Sequence, residues 1–146
     1  EGHSEAVLCA AIDAGRAVSG GAGLSLRLWN LESGELLREL VGHRAPVLCV
    51  NVDVARDLAI SGSFVILRFW NMHKGVFGWG GMIEDYRDLV AHRSSVTCLT
   101  VNWDAGLVLS GGGDGALRLW SVDLVRCADT CQHARDLRVG HTVELL

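Results

Sequence analysis

Apolar residues along this chain fall in short runs of four to seven, each bounded by Gly, Asp, Asn or Ser. Three stretches alternate in the same way: Leu26-Arg27-Leu28-Trp29, Leu67-Arg68-Phe69-Trp70 and Leu117-Arg118-Leu119-Trp120. Alternation with period two sends successive side chains to opposite faces of an extended strand. Runs this short, closed by turn residues and without 3.6-residue spacing, predict strands and argue against helices. Each unit reads as four strands. Strand a holds Val7-Leu8-Cys9, Val47-Leu48-Cys49 or Val96-Thr97-Cys98. Strand b ends in Ser-Gly, whose glycine is expected to supply permissive dihedrals for a hairpin. Strand c is the alternating stretch, and strand d follows a second turn, as at Gly34 to Leu40.

The units are copies of one another. Gly2-His3, Gly42-His43 and Ala91-His92 open them, and His to Cys is six residues in each. Ser19-Gly20-Gly21, Ser61-Gly62-Ser63 and Ser110-Gly111-Gly112 come next, then Trp29-Asn30, Trp70-Asn71 and Trp120-Ser121. His to Trp is 26, 27 and 28 residues. Recurrence of several anchors in one order marks a repeat architecture, in which each unit buries its apolar faces only against its neighbours. Repeat 1 covers about 2–41, repeat 2 about 42–90 and repeat 3 about 91–139, with the start of a fourth at 140–146. Trp103-Asp104 falls in an a–b turn and is not a unit end. Two connections are long, at 75–86 and 124–134, and are expected as extended loops or lengthened outer strands.

These residues resemble the WD-repeat β-propeller family, whose repeats open with Gly-His, close near Trp-Asp and fold as four-stranded blades. The resemblance implies an all-β fold of β-propeller blades with four antiparallel strands each, arranged as an incomplete ring within a single partial propeller, 1–146. It also implies a hydrogen-bonded tetrad of loop His, strand-b Ser, b–c turn Asp and strand-c Trp, matched in full by His92, Ser110, Asp114 and Trp120. Repeat 1 has Gly23 at the Asp position, and repeat 2 is one residue shorter and has Phe64 there. Blades 1 and 2 are therefore expected to be less firmly pinned than blade 3. Partner-facing positions carried over from the family are Ser4, Ala6, Arg44, Pro46, Arg93, Ser95 and Gly113. Since propellers take four to eight blades, closure requires further blades or self-association. The pattern is cut at both ends, which favours a piece of a longer propeller.

Composition narrows the chemistry. Glycine is abundant, 18 of 146 residues, and proline occurs once, as Pro46, which suits many tight turns. A formal charge of −4 argues against a nucleic-acid surface. No apolar run reaches the ~20 residues that span a bilayer as a helix. Five cysteines are an odd number for a disulfide framework. Cys9, Cys49 and Cys98 recur inside apolar runs and read as packing residues, which points to a reducing compartment, cytoplasmic or nuclear. The recurring histidines, His141 included, read as structural partners of the strand-b Ser, and Arg27, Arg68 and Arg118 as structural cations at the blade edge. Cys127, Cys131 and His133 carry ligand-like spacing, but only three ligands remain once His141 belongs to the repeat.

No phosphate loop, nucleophile elbow or catalytic constellation is present, so no enzyme activity and no cofactor or metal is expected. The expected function is a non-catalytic protein–protein interaction scaffold. Its partner is a protein or peptide, acidic or phosphorylated, met by Arg44 and Arg93 through bidentate hydrogen bonds. Short, little-decorated blades resemble those of ubiquitin-ligase substrate receptors. The alternatives are a metal- or redox-responsive site at the Cys127/Cys131/His133 loop, or a purely structural subunit of a larger complex.

Overall fold

A computed structural model describes residues 2–72, 86–121 and 134–137. Eleven strands and no helix occur among these residues. The first blade is a sheet of β1 (Val7–Asp13), β2 (Arg16–Gly21), β3 (Ser25–Asn30) and β4 (Leu36–Val41), antiparallel in chain order. The second begins with β5 (Cys49–Asp53), β6 (Leu58–Gly62) and β7 (Phe64–Asn71). The third ends with β9 (Leu107–Gly112), β10 (Leu117–Ser121) and β11 (Ala134–Leu137).

Between these lies one 17-residue strand, β8 (Tyr86–Asn102). Its first part pairs with β7, Arg68 opposite Asp88, and its second part with β9, Leu99 opposite Ser110. It serves as strand d of blade 2 and strand a of blade 3, so the two blades form one seven-stranded sheet. The repeat boundary drawn at 90/91 falls inside this strand. The long connections lie mainly outside the described residues, but their ends, Tyr86 and Ala134, enter outer strands.

Alternation on strand c explains how blades stack. Leu26 and Leu28 of blade 1 point toward blade 2, where they share a buried cluster with Val18, Leu40, Val47, Val50 and Trp70. Leu67 and Phe69, on the opposite face from Trp70, join Ile60, Val96, Val108 and Trp120 in a second cluster between blades 2 and 3. The Trp70 and Trp120 faces thus each meet the apolar face of the preceding blade. Among the described residues blade 1 has no blade before it, and Leu8 and Ile12 on that side are 47% and 72% exposed.

Backbone and thiol contacts stitch the blades. Val47 N–H donates to Gly21 O at 3.0 Å and Val96 N–H to Ser63 O at 2.9 Å. The Cys9 thiol donates to Val47 O and the Cys49 thiol to Val96 O, both at 3.6 Å. Burial is the main cause that pushes the two thiols up, to about 11 and about 12, so both stay protonated and serve packing. Trp103, in its turn, donates to Asn51 Oδ1 at 3.1 Å and braces blade 3 on blade 2.

The glycines closing strand b have a different cause from the one expected. None of Gly20, Gly62 and Gly111 has a positive φ. They are small because neighbours crowd them: a Cβ at Gly62 would lie 2.8 Å from Val96 Cγ1 and closer still to Cys49 Sγ, and one at Gly111 would lie 2.7 Å from Cys98 Sγ. Gly62→Ala should therefore cost about 2 kcal/mol in chemical denaturation through overpacking. Adding Cys49→Ala should recover part of that loss. Full additivity of the two losses would contradict the steric cause.

Candidate functional site

The candidate site is the end of the blades where the His loops meet the b–c turns. In all three blades the loop histidine reaches under the sheet to the strand-b serine. His3 Nε2 lies 2.6 Å from Ser19 Oγ, His43 Nε2 2.7 Å from Ser61 Oγ, and His92 Nε2 2.8 Å from Ser110 Oγ. Trp29, Trp70 and Trp120 donate their indole N–H to the same three oxygens at 2.8, 2.8 and 2.9 Å. Each serine bridges two rings from different strands, and Ser61 and Ser110 are fully buried. Loss of such a bridge leaves buried donors without partners.

Blade 3 completes the tetrad. Asp114 Oδ1 accepts from His92 Nδ1 at 3.0 Å and from Ala116 N–H at 3.1 Å, while Oδ2 accepts from Arg93 N–H at 2.8 Å and Arg118 Nη1 at 2.9 Å. The Arg93 amide above all, and then the Arg118 guanidinium, hold this carboxyl well below the usual carboxylate range. Arg118 Nη1 also lies 2.7 Å from His92 Nδ1, so that nitrogen meets both the Asp114 carboxylate and the guanidinium.

Blades 1 and 2 keep the His–Ser–Trp core without the aspartate. In blade 1, Arg27 donates to Gly2 O and lies 3.7 Å from Glu39, which also accepts from Ser25 Oγ at 2.7 Å. In blade 2, Arg68 binds Asp88 through both oxygens, at 2.5 and 2.7 Å. These three arginines are blade-edge cations tied to acidic side chains. His43 is only 5% exposed, and its Nδ1 has no hydrogen-bond partner among the described residues. Burial, reinforced by Arg68 and opposed by Asp88, brings its pKa down to about 4, so His43 is neutral.

The positions carried over as partner-facing share this end. Ser4, Ala6, Arg44, Pro46, Arg93 and Gly113 are exposed, while Ser95 is half-buried. Ala6 O accepts from Ala22 N–H at 3.0 Å, Pro46 O from Ser63 Oγ at 3.0 Å and Ser95 O from Gly113 N–H at 2.8 Å. The residue three past each His therefore ties its loop to the b–c turn, and Ala6, Pro46 and Ser95 have a scaffold role beside any binding role. A cavity of about 460 Å³ opens in blade 2, walled by Arg44, Ala45, Ser63, Phe64, Ile66, Arg68 and Asp88. Sequence reasoning placed Phe64 at the missing Asp position but not in a cavity wall, and did not bring Ile66 and Asp88 to this site. Cys127, Cys131, His133 and His141 lie outside the described residues. No cluster of three or more metal-ligating side chains occurs among the residues described.

The comparisons agree with this geometry. Residues 84–121 match the family model described as WD domain, G-beta repeat. Over 106 residues, 73% of the chain, it is 23% identical to mitochondrial division protein 1 of Eremothecium gossypii and covers 15% of that protein. The structure of the RRP9 WD40 repeats aligns with a TM-score of 0.75 at 23% identity, over 93% of this chain and 38% of that one. The computationally designed Ika4 protein aligns with a TM-score of 0.72 at 26% identity, over 93% and 74%. Residues 84–121 match a WD repeat, and the chain has the β-propeller fold. Propellers of this family generally bind protein partners and are generally non-catalytic.

His43 yields a pH prediction. Its folded pKa of about 4 lies below the ordinary 6.5, so the unfolded chain takes up its proton first. Its effect is absent above pH 6.5 and destabilises the fold progressively as pH falls toward 4, by about 3 kcal/mol at the low end. Unfolding free energy measured from pH 7 to 4 should decline less steeply in His43→Gln than in the parent. Parallel curves would contradict the assignment.

Proposed function

We propose that this chain is a non-catalytic interaction module whose His-loop end binds an acidic or phosphorylated segment of a protein partner. One observation carries the reading: Arg44 and Arg93, each following its tetrad histidine, stand exposed at the same end of adjacent blades. Guanidinium groups match carboxylate and phosphate in a two-pronged geometry. The loops holding them are fastened from below by the His–Ser bonds and from the side by Pro46 and Ser95. A rigid base lowers the ordering cost of binding.

Within this reading the short blades suit a substrate-recognition module of a ubiquitin-ligase-type assembly, in the cytoplasm or nucleus. The uncovered face of blade 1, with Leu8 and Ile12, suits a further blade, from the same polypeptide or from another copy. The test is charge reversal. Arg44→Glu/Arg93→Glu should weaken binding of a fluorescent Glu-rich peptide about tenfold or more with the unfolding midpoint unchanged, and a Lys-rich peptide serves as control. Unaltered binding, or no binding by the parent, would favour a purely structural subunit.

A further inference from the structure

Blade 3 carries its own carboxylate, and blade 2 holds the receptor for one without the carboxylate itself. We propose that blade 2 takes up a carboxylate from an acidic peptide partner at the place that Asp114 fills in blade 3, a proposal resting on the peptide-binding reading above. Counted back from strand c, Phe64 stands where Asp114 does, three residues before Leu67 and Leu117 respectively. Val65 has a φ of 56° where Gly115 has 75°. The turn is tighter by one residue: Ser63 N–H donates to Ile66 O, whereas Gly112 N–H donates to Ala116 O. Phe64 is 57% exposed and lines the blade-2 cavity.

The consequence falls on His43. Its Nε2 is anchored to the serine as in blade 3, and by analogy with His92 its Nδ1 corresponds to the nitrogen that meets the Asp114 carboxylate. That nitrogen is buried and has no acceptor, whereas its counterpart has one at 3.0 Å. A buried polar atom without a partner is unfavourable, and an incoming carboxylate would relieve it when Nδ1 carries the proton. A cavity beside the next residue, with His43 itself not in its wall, would supply the rest of the receptor once the turn between them opens. Arg44 gives a cation at the rim, and Phe64 and Ile66 give an apolar wall for the residue that bears the carboxylate. Arg68 is already engaged with Asp88, so the attraction comes from Arg44 and the imidazole N–H. Asp88, on the same wall, disfavours a doubly charged phosphate more than a singly charged carboxylate.

Entry requires the Ser63–Ile66 turn to give way, because Nδ1 is sealed from solvent. Val65 in that turn is a β-branched residue at positive φ, a conformation strained where glycine is not, which lowers the cost of opening it.

The test follows the histidine ring nitrogens of the full chain by NMR while sodium acetate is added, with sodium chloride at matched ionic strength as control. A saturable change at His43 with none at His92 is expected. Phe64→Asp, which supplies the carboxylate within the chain, should abolish it. A Glu-containing peptide should compete with acetate, bind Phe64→Asp about tenfold more weakly than the parent, and gain nothing from phosphorylation. A His43 signal blind to acetate, or one moving together with His92, would overturn the proposal. Peptide binding that is lost on Arg93→Glu yet indifferent to Phe64→Asp would also overturn it while leaving the peptide-binding face intact.

Discussion

Everything in this structure hangs on a serine hydroxyl buried between two rings. In each blade, Ser19, Ser61 or Ser110 joins a loop histidine to a strand-c tryptophan, tying together three segments that lie far apart in sequence. Burying three polar side chains is unfavourable unless their hydrogen-bonding groups are matched. The match fixes the His loop on one end of the blade and the Trp face toward the preceding blade. The apolar stacking then follows: a tryptophan held on one face of strand c leaves leucine or phenylalanine for the other, and in blade 2 neighbouring blades cover both.

The same constraint makes the loop end a platform. Residues immediately past each histidine cannot wander, because the imidazole is pinned beneath them and the third residue is bonded to the b–c turn. Arg44 and Arg93 are exposed on backbone that is already ordered. Blade 3 spends its extra acceptor, Asp114, on its own histidine and arginine. Blade 2 places Asp88 on Arg68 from a different strand and leaves the imidazole edge unmatched. Three copies of one motif thus differ in what they can offer to a ligand.

Much of this was legible from the residue pattern, for physical reasons. Strand-c alternation reports on two-sided burial, which is why Leu67, Phe69 and Trp70 could be assigned to opposite faces before any coordinates. The His–Ser–Trp spacing survives because all three members must meet, so the anchors of the tetrad in blade 3 could be named outright. The strand-b glycines were misread. Their need for smallness comes from Cys49, Val96 and Cys98, side chains on neighbouring strands or the next blade, and no local dihedral rule contains that information. The fusion of two blades through β8 was equally hidden, since a continuous strand and two abutting strands share the same alternation. The unpartnered imidazole nitrogen in blade 2 could be suspected from the shortened turn, but the exposure of Phe64 depends on packing at a strained turn.

The most direct examination of the buried bridge is a double-mutant cycle in blade 2 combining Ser61→Ala with Trp70→Phe. Each variant alone removes one end of the 2.8 Å bond and should destabilise the chain, and Trp70→Phe also loses ring volume. If the serine and indole form one unit, the double variant should be more stable than the summed single losses imply, by about 1–2 kcal/mol. Strict additivity of the two losses would show that the bridge does not hold the blade together.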